Sequence, residues 1–273
     1  MTDGLVLIKV GGGSAINIDG LAADLAAFPG SAVLVHGANA LRDRLAVQLG
    51  YEKRTLTSVS GYSSVYSDDQ AIELLMLAYA GLANKRIVEA LQRRGRNAIG
   101  LTGLDGALVR GRRNTGIRTS DGTRTVLVRD RSGKPREVND SLFRTLLDQG
   151  YTPVITVPLL DETGSAINAE NDDVVTVVSA ALRPSVVVQL IEAPGVLADA
   201  ADPGSVIARL TAGTLGILEA AATGRFKRKL LAISRTLDAG VPRVLIGDGR
   251  TEHPLADCLA GKGTIVTRDE FDG

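Results

Sequence analysis

Short β-branched runs bounded by Gly or Pro recur at 5–10, 32–36, 97–101, 152–157, 186–191, 243–246 and 264–267. Each has the pattern of a strand buried on both faces. Helical periodicity fills most of the intervals. It is clearest at 68–94, where Ile72, Leu75, Met76, Tyr79, Leu82 and Ala83 keep the i, i+3, i+4, i+7 spacing of one apolar stripe. Ser67 followed by Gln70 reads as a capping box ahead of this helix, and Gly95 after Arg93 and Arg94 offers a residue free to take positive φ at its end. Further helices are predicted at 19–28, 41–49, 141–149, 172–182, 225–239 and 255–260.

Strands alternating with helices predict a mostly parallel sheet covered on both faces, a three-layer α/β/α sandwich in the α/β class. No repeat or low-complexity linker interrupts the chain, so 1–273 reads as one domain built on a continuous sheet. One stretch breaks the alternation. From 110 to 136 the turn signals Asp121-Gly122 and Ser132-Gly133 predict β-hairpins projecting from the sheet.

Composition narrows the function. The chain has 273 residues, 44% of them hydrophobic, which is enough to bury a large core. Its 31 basic residues balance 31 acidic ones, and it has five Tyr, four Phe and no Trp. A nucleic-acid binder would show a basic excess and stacking aromatics, so nucleic acid is not the expected partner. The single cysteine, Cys258, cannot form an internal disulfide or a thiolate zinc site, and His36 and His253 are too far apart in sequence to suggest a metal motif. No resident metal site is expected, and a reducing cytoplasm fits the cysteine usage. The start of the chain has no basic segment before its apolar run, and no run of 18 apolar residues occurs, so secretion and membrane spanning are disfavoured.

Candidate chemistry gathers at the predicted carboxyl ends of strands. Lys9 to Gly13 and Val35 to Asn39 end the first two strands, and ligands of open parallel sheets bind on that rim, where glycines let backbone N–H groups approach phosphate. Neither segment is a P-loop or a dinucleotide fingerprint, so each could also be a plain turn. His36 alone reads as a packed strand-end residue. Asn168 and Asp172 lie after the strand at 152–157, on the same rim, ahead of an apolar helix; Asp173 reads as a helix-capping carboxylate. The helix beginning at Gly224 carries Arg225, Lys227, Arg228 and Lys229, cations where the helix dipole favours acids, an inversion suited to holding phosphate.

Taken in order, KVGGG, VHG, GLANKRIVEAL with NAIGLTGLDG (81–106), INAENDD, IEAPGVL and GRFKRK resemble the amino acid kinase family. The likeness runs from 9 to about 266, and the ordered set is far more specific than any one motif. Within the family it resembles the N-acetylglutamate kinase branch, and there the kinases of 2-aminoadipate or glutamate carried on a small acidic amino-group carrier protein. The resemblance implies transfer of the γ-phosphoryl group of ATP to a side-chain carboxylate, giving an acyl phosphate. It implies that Lys9 and Lys229 stabilise the transferring phosphoryl oxygens and that Asp172 holds the two lysines. Gly37, Ala38, Asn39, Val65 and Asn168 would line the acyl pocket. Gly11 and Gly12 would cradle phosphate, and Glu192, Gly195, Val196 and Leu197 would line the ATP site. Residues 1–170 would then form the acyl-binding and dimerising part and 171–273 the ATP-binding part. The resemblance also implies Mg2+ on the nucleotide phosphates and a homodimer around the helix at 68–94. No general base is needed, since a carboxylate is already ionised at neutral pH.

Two departures stand out. Relatives have further glycines after Val-His-Gly, where this chain has Ala38 and Asn39. Relatives also carry an arginine that clasps the acyl α-carboxylate, where counting from Gly61 gives Val65. Three explanations stand open: a different register, a role taken over by Arg42, Arg44 or Asn39, or an altered substrate; the coincidence of changes at Asn39 and Val65 favours an altered substrate.

The segment 110–136 holds nine Lys or Arg against Asp121 and Asp130, a net +7 that the rest of the chain balances with −7. A solvated face would explain such a run. The alternative is a docking surface for the acidic carrier, using Arg110, Arg112, Arg113, Arg118 and Arg124. Besides the carrier-dependent kinase, the sequence leaves open a kinase of free N-acetylglutamate in arginine synthesis and a non-catalytic paralogue that binds nucleotide or carrier. Uridylate and carbamate kinases share the expected fold but lack the GLTGLDG likeness.

Overall fold

The computed structural model describes residues 4–59, 63–120, 124–222 and 224–268. In chain order its first half comprises β1 (Val6–Val10), α1 (Ile18–Ala27), β2 (Ala32–His36), α2 (Asn39–Gln48), β3 (Thr55–Thr57), β4 (Ser63–Val65), α3 (Asp69–Leu75), α4 (Asn84–Gln92) and β5 (Ala98–Thr102). There follow β6 (Val109–Arg113), β7 (Ile117–Ser120), β8 (Thr125–Val128), β9 (Gly133–Val138), α5 (Asp140–Asp148), β10 (Thr152–Thr156), β11 (Leu159–Leu160) and β12 (Ala166–Ile167). The remainder comprises α6 (Asn171–Leu182), β13 (Val186–Ile191), β14 (Arg209–Thr211), α7 (Ala212–Ala221), α8 (Gly224–Asp238), β15 (Arg243–Asp248), α9 (Pro254–Leu259) and β16 (Thr264–Thr267).

Eight strands form one sheet in the order β14-β16-β15-β13-β1-β2-β10-β5, parallel except where β15 meets β16. All seven predicted strands lie in it; the short β14 and the helix α7 that follows it carry too little apolar pattern to read in advance. The chain leaves β1 first toward β2 and later returns to its other side as β13, so the strand order reverses at β1. Ligand crevices of open α/β sheets form at such a reversal, beyond the carboxyl ends.

Side-chain alternation splits the core between the two faces. Val6, Ile8, Val10, Leu34, Val188 and Leu190 pack with Leu21 and Leu25 of α1, Ile87 and Leu91 of α4, and Leu255 of α9. Leu7, Val33, Val35, Ile155 and Val187 pack on the other face with Val175 and Val178 of α6 and with Leu230, Ile233 and Leu237 of α8. Lys9, two residues beyond Leu7, therefore points to the α6 side.

The predicted helix at 68–94 is one continuous rod with a change of winding. Between α3 and α4 the backbone takes π turns over Met76–Ala83, and the Asn84 N–H bonds to the Tyr79 carbonyl five residues back. The extra residue per turn rotates the buried stripe: Leu75 and Tyr79 are buried, but the next buried position is Asn84, and Leu82 is 39% exposed. The start also differs from expectation. Asp68, not Ser67, caps the helix, accepting at Oδ1 from Ala71 N–H at 2.8 Å. Gly95 takes φ 75° as predicted.

The 110–136 segment is nested rather than a row of hairpins. β6 pairs antiparallel with β9, and β7 pairs antiparallel with β8 inside that excursion. The Asp121-Gly122 turn lies outside the described residues, as do Gly61 and Tyr62. Ser132-Gly133 is not a turn tip: Ser132 bridges to Asn168, and Gly133 opens β9. The reason is that Asp130 caps the backbone there, accepting at Oδ1 from Ser132 N–H at 2.9 Å, and turns the chain into the second sheet, of order β12-β11-β6-β9.

Candidate active site

A cleft of about 460 Å³ opens at the carboxyl ends of β1, β2 and β13, where the strand order reverses. Its walls include Lys9, Gly11, Gly12, Gly37, Asn39, Val65, Asn168, Asp172, Glu192 and Lys229, residues drawn from six separate stretches of sequence.

Lys9 is 6% exposed, and its Nζ lies 2.9 Å from Asp172 Oδ1 at the first turn of α6. A buried ammonium needs such a partner, because stripping water from an unpaired charge costs several kcal/mol. Lys229, on the early turns of α8, lines the same cleft.

The glycines are required by close approach. A Cβ on Gly12 would stand 2.7 Å from Asn39 N and 2.8 Å from Ala38 N, and one on Gly37 would stand 3.0 Å from the Gly12 backbone. The loops after β1 and β2 are thus stitched together, with Ala40 N–H bonded to Gly12 O at 2.9 Å. Ala38 is buried at this junction and does not line the cleft, whereas Gly37, Asn39 and Ala40 of the same loop do. Glu192 bends back over Gly13 and accepts from Ala15 N–H at 2.7 Å.

Gly195, Val196 and Leu197 do not line this cleft. Val196 N–H donates to Thr264 Oγ1 at 2.8 Å, and Leu197 bridges to Val206, so this segment builds the wall behind Glu192.

Asn168 is held from three sides. Its Nδ2 donates to Ser67 Oγ at 3.0 Å, its N–H to Arg131 O at 2.9 Å, and its carbonyl accepts from Gly133 N–H at 2.8 Å. Ser67, expected only to cap a helix, is instead a support for this amide. His36 is structural. It is buried, its Nε2 lies 3.1 Å from Asn84 Nδ2, and burial lowers its pKa to about 4, so the ring is neutral at pH 7.

Other residues complete the cleft; of these the sequence singles out Arg42 and Arg228 but assigns no role to Tyr79, Glu170 or Asn171. Tyr79 donates to Asn39 Oδ1 at 2.5 Å, and burial, with the nearby Glu170 carboxylate, pushes its phenol up to about 12 and keeps it a donor. Asn171 lines the cleft with a buried Oδ1 that has no partner among the described residues. Glu170 and Arg228 form an ion pair on its outer wall. Arg42 lines it with a side chain only 10% exposed. The helical period at Tyr79 predicts burial but not that its hydroxyl reaches a strand-end loop.

Of the predicted docking arginines, Arg110, Arg112 and Arg113 lie on β6 of the second sheet, whereas Arg118 lies on β7 and Arg124 just ahead of β8, in the separate β7–β8 ribbon. All five are exposed, and Arg113 also donates from Nε to Asp130 O at 2.9 Å and so braces the excursion. Arg112 stands directly across from Lys134 in the β6–β9 ladder. Between this sheet and α8 a groove of about 430 Å³ shares Val65, Asn168, Ala169, Glu170 and Arg228 with the cleft, so the two spaces adjoin.

The sequence model of the amino acid kinase family matches residues 4–248. The chain belongs to the amino acid kinase family. LysW-aminoadipate kinase of Deinococcus radiodurans is 37% identical over 267 residues, covering 96% of this chain and 91% of that one. The enzyme of the same name from Thermus thermophilus is 37% identical over 268 residues, covering 96% of this chain and 100% of that one. LysW-aminoadipate/LysW-glutamate kinase of Saccharolobus solfataricus is 30% identical over 266 residues, covering 96% and 99%.

Among solved structures, N-acetylglutamate synthase from Neisseria gonorrhoeae superposes with a TM-score of 0.80 at 22% identity over 99% of this chain, which spans 61% of that longer one. Carbamate kinase from Giardia lamblia superposes with a TM-score of 0.70 at 14% identity, covering 97% and 99%. These likenesses establish the amino acid kinase fold. Among the described residues no helix is long and apolar enough to cross a membrane.

Proposed function

We propose that this amino acid kinase transfers the γ-phosphoryl group of ATP to the side-chain carboxylate of an amino acid, 2-aminoadipate or glutamate, tethered through its amino group to a small acidic carrier protein. The observation that carries the reading is the cleft in which Lys9, Asp172 and Lys229 meet two glycine loops at the strand-order reversal. The names of the 37% identical relatives support the carrier-borne acceptor.

In the reaction a carboxylate oxygen attacks the γ-phosphorus, the bond to the β-phosphate oxygen breaks, and ADP leaves; no proton is transferred. Catalysis is then positioning and charge stabilisation. Lys9, paired with and aimed by Asp172, offsets negative charge on the phosphoryl oxygens from the acyl side, and Lys229 does so from the nucleotide side. The N–H groups around Gly11, Gly12 and Gly37 cradle phosphate, and Asn168, fixed by Ser67, orients the acyl group. Glu192 bounds the nucleotide side, with Gly195, Val196 and Leu197 in the wall behind it. Residues 1–170 supply the acyl side and 171–273 the ATP side.

Mg2+ fits this donor set as an ion carried on ATP. The lining carboxylates Glu170, Asp172 and Glu192 are engaged by Arg228, Lys9 and Ala15 N–H, so few direct protein ligands are left for it. When bound it neutralises phosphate charge.

The carrier docks on the basic excursion of β6 to β9 through Arg110, Arg112 and Arg113 of the second sheet and Arg118 and Arg124 of the β7–β8 ribbon. Like charges directly opposed across a ladder, as in Arg112 and Lys134, are unfavourable without an anion, which supports an acidic partner. The adjoining groove offers the tethered residue a route to the cleft. We also infer a homodimer formed on the helix of α3 and α4, where Leu77 and Leu82 are exposed, and a cytoplasmic location.

The test is ADP release with ATP and Mg2+ against carrier-bound glutamate, carrier-bound 2-aminoadipate, and the free N-acetylated acids. Turnover confined to the carrier-bound acids is expected. Equal or faster turnover of a free acid would overturn the carrier reading, and no ADP release with any of them would overturn the kinase reading.

A further inference from the structure

Three side-chain amides line the cleft, and two of them are pinned: Asn168 donates to Ser67 Oγ, and Asn39 accepts from the Tyr79 hydroxyl. Asn171, the first residue of α6, is different. Its Oδ1 is buried and has no partner, and its Nδ2 makes no hydrogen bond among the described residues. A buried polar atom left unpaired costs stability, so such an amide needs a reason for being where it is.

A structural reason is not at hand. The residue before it, Glu170, holds the N-cap position of α6, and no side chain closes that end of the helix, so Asn171 is not a cap. Nor does it cross-link α6 to a neighbouring element. The carboxamide is turned with its oxygen inward and its Nδ2 toward Gly37, the sense that shows the cleft donors rather than an acceptor.

What lies in front of that Nδ2 is specific. A Cβ on Gly37 would stand 3.7 Å from Asn171 Nδ2 and 3.0 Å from Gly12 N, so the glycine leaves a small space with a nitrogen on either side. The Gly12 N–H is also uncommitted among the described residues, although the Gly12 carbonyl accepts from Ala40. An oxygen lodged over Gly37 therefore meets a backbone donor from one wall and an amide donor from the other. Lys9, on the same rim, shares its charge with Asp172, so neutral donors add to what the ammonium can give an anion there.

We propose that Asn171 is a catalytic residue whose Nδ2, opposite the Gly12 N–H, donates to an oxygen of the phosphoryl group as it passes from ATP to the acceptor carboxylate. This rests on the carboxylate-kinase reading above. No bond to Asn171 forms or breaks, and no proton leaves it; it holds charge in the transition state.

The test measures ADP release from ATP and Mg2+ with the carrier-bound acceptor in Asn171→Ala and Asn171→Asp. Losing one preorganised donor lowers kcat about 10²- to 10³-fold, and Asn171→Ala should fall in that range with KM for ATP little changed. Asn171→Asp keeps the shape but replaces the donors with an anion, so its turnover should fall at least as far, whereas a packing role would tolerate it. Binding supplies a second readout. Affinity for ADP with aluminium fluoride, which mimics the phosphoryl group in transit, should drop by about the factor lost in kcat, while affinity for AMP-PNP should hold. Thermal melts accompany both variants, and Asn171→Asp carries the test if Asn171→Ala does not fold. Native turnover in either folded variant overturns the proposal and leaves the kinase reading standing. So does an AMP-PNP affinity that falls as far as that for the fluoride complex. A native protein that releases no ADP with any acceptor overturns the kinase reading, and the proposal with it.

Discussion

Lys9 Nζ and Asp172 Oδ1 lie 2.9 Å apart although 162 residues separate them in sequence, because alternation along β1 turns Lys9 to the face that α6 covers. The pair is nearly dry, so Asp172 fixes the aim of the ammonium. Lys9→Ala should lower turnover about 10²- to 10³-fold, the range for losing one preorganised donor to a developing charge. Lys229→Ala should do likewise from the nucleotide side. Near-native turnover of either variant at saturating ATP and acceptor would remove that lysine from the mechanism.

Asp172→Asn separates aim from charge. It leaves an uncompensated ammonium in a 6% exposed site, so both turnover and stability should fall. Breaking a buried pair by removing one partner costs about 3–5 kcal/mol. Urea unfolding of Asp172→Asn beside Lys9→Met checks this: Asp172→Asn should be the less stable, since Lys9→Met removes the buried charge outright.

The glycine loop offers a graded comparison. In Gly12→Ala the new methyl meets backbone nitrogens of Asn39 and Ala38, which cannot move without separating the two loops. In Gly13→Ala it meets the Glu192 carboxylate, the end of a flexible side chain that can swing aside at the loss of its bond to Ala15. Gly12→Ala should therefore raise KM for ATP and acceptor far more than Gly13→Ala. Equal effects would mean that the close approach of the loops is unimportant for binding.

His36 makes stability depend on pH. Its folded pKa, about 4, lies below the ordinary 6.5 because the ring is buried and neutral. The unfolded chain takes up a proton below about 6.5 and the folded one does not, so stability should fall as pH drops from about 6.5 toward 4. The full effect is about 3 kcal/mol. Denaturant midpoints at pH 7 and 4.5 test it, with His36→Gln as control: the decline should be shallower in the variant whatever its absolute stability.

Much of this architecture was legible in the residues. Seven strands carry enough Val, Ile and Leu to announce themselves, and the rim glycines with Lys9 and Asp172 mark the cleft. What escaped depends on where the chain crosses itself. The π turns that bring Tyr79 and Asn84 into line have no periodic signature, since the same residues satisfy an ordinary α stripe. Ser67 has the composition of a cap, but Asp68 takes that role and frees its hydroxyl for Asn168. Arg42 reads only as one of three candidates, with Arg44 and Asn39, for an absent carboxylate partner, and it is the fold that buries its side chain in the cleft wall beside Val65. The nesting of β7 and β8 between β6 and β9 is likewise invisible locally, because a hairpin signal does not say which strand closes around it.

Docking by charge has a salt signature. Surface charges are screened over about 10 Å at 0.1 M salt, so affinity for an acidic carrier should drop steeply between low and high ionic strength. Reversing Arg110, Arg112 and Lys134 together should mimic high salt without touching Arg113, which also braces Asp130. Salt-independent binding, or binding that survives the triple reversal, would place the carrier elsewhere.

The most direct measurement of the central claim is intact-protein mass of the aminoacylated carrier after incubation with ATP, Mg2+ and this kinase, followed by hydroxylamine. The account predicts a carrier that gains one phosphoryl group and is converted by hydroxylamine to the hydroxamate at the side-chain carboxyl, with no conversion when Lys9→Ala replaces the native protein. A carrier of unchanged mass that forms no hydroxamate, while a free acid does, would contradict it.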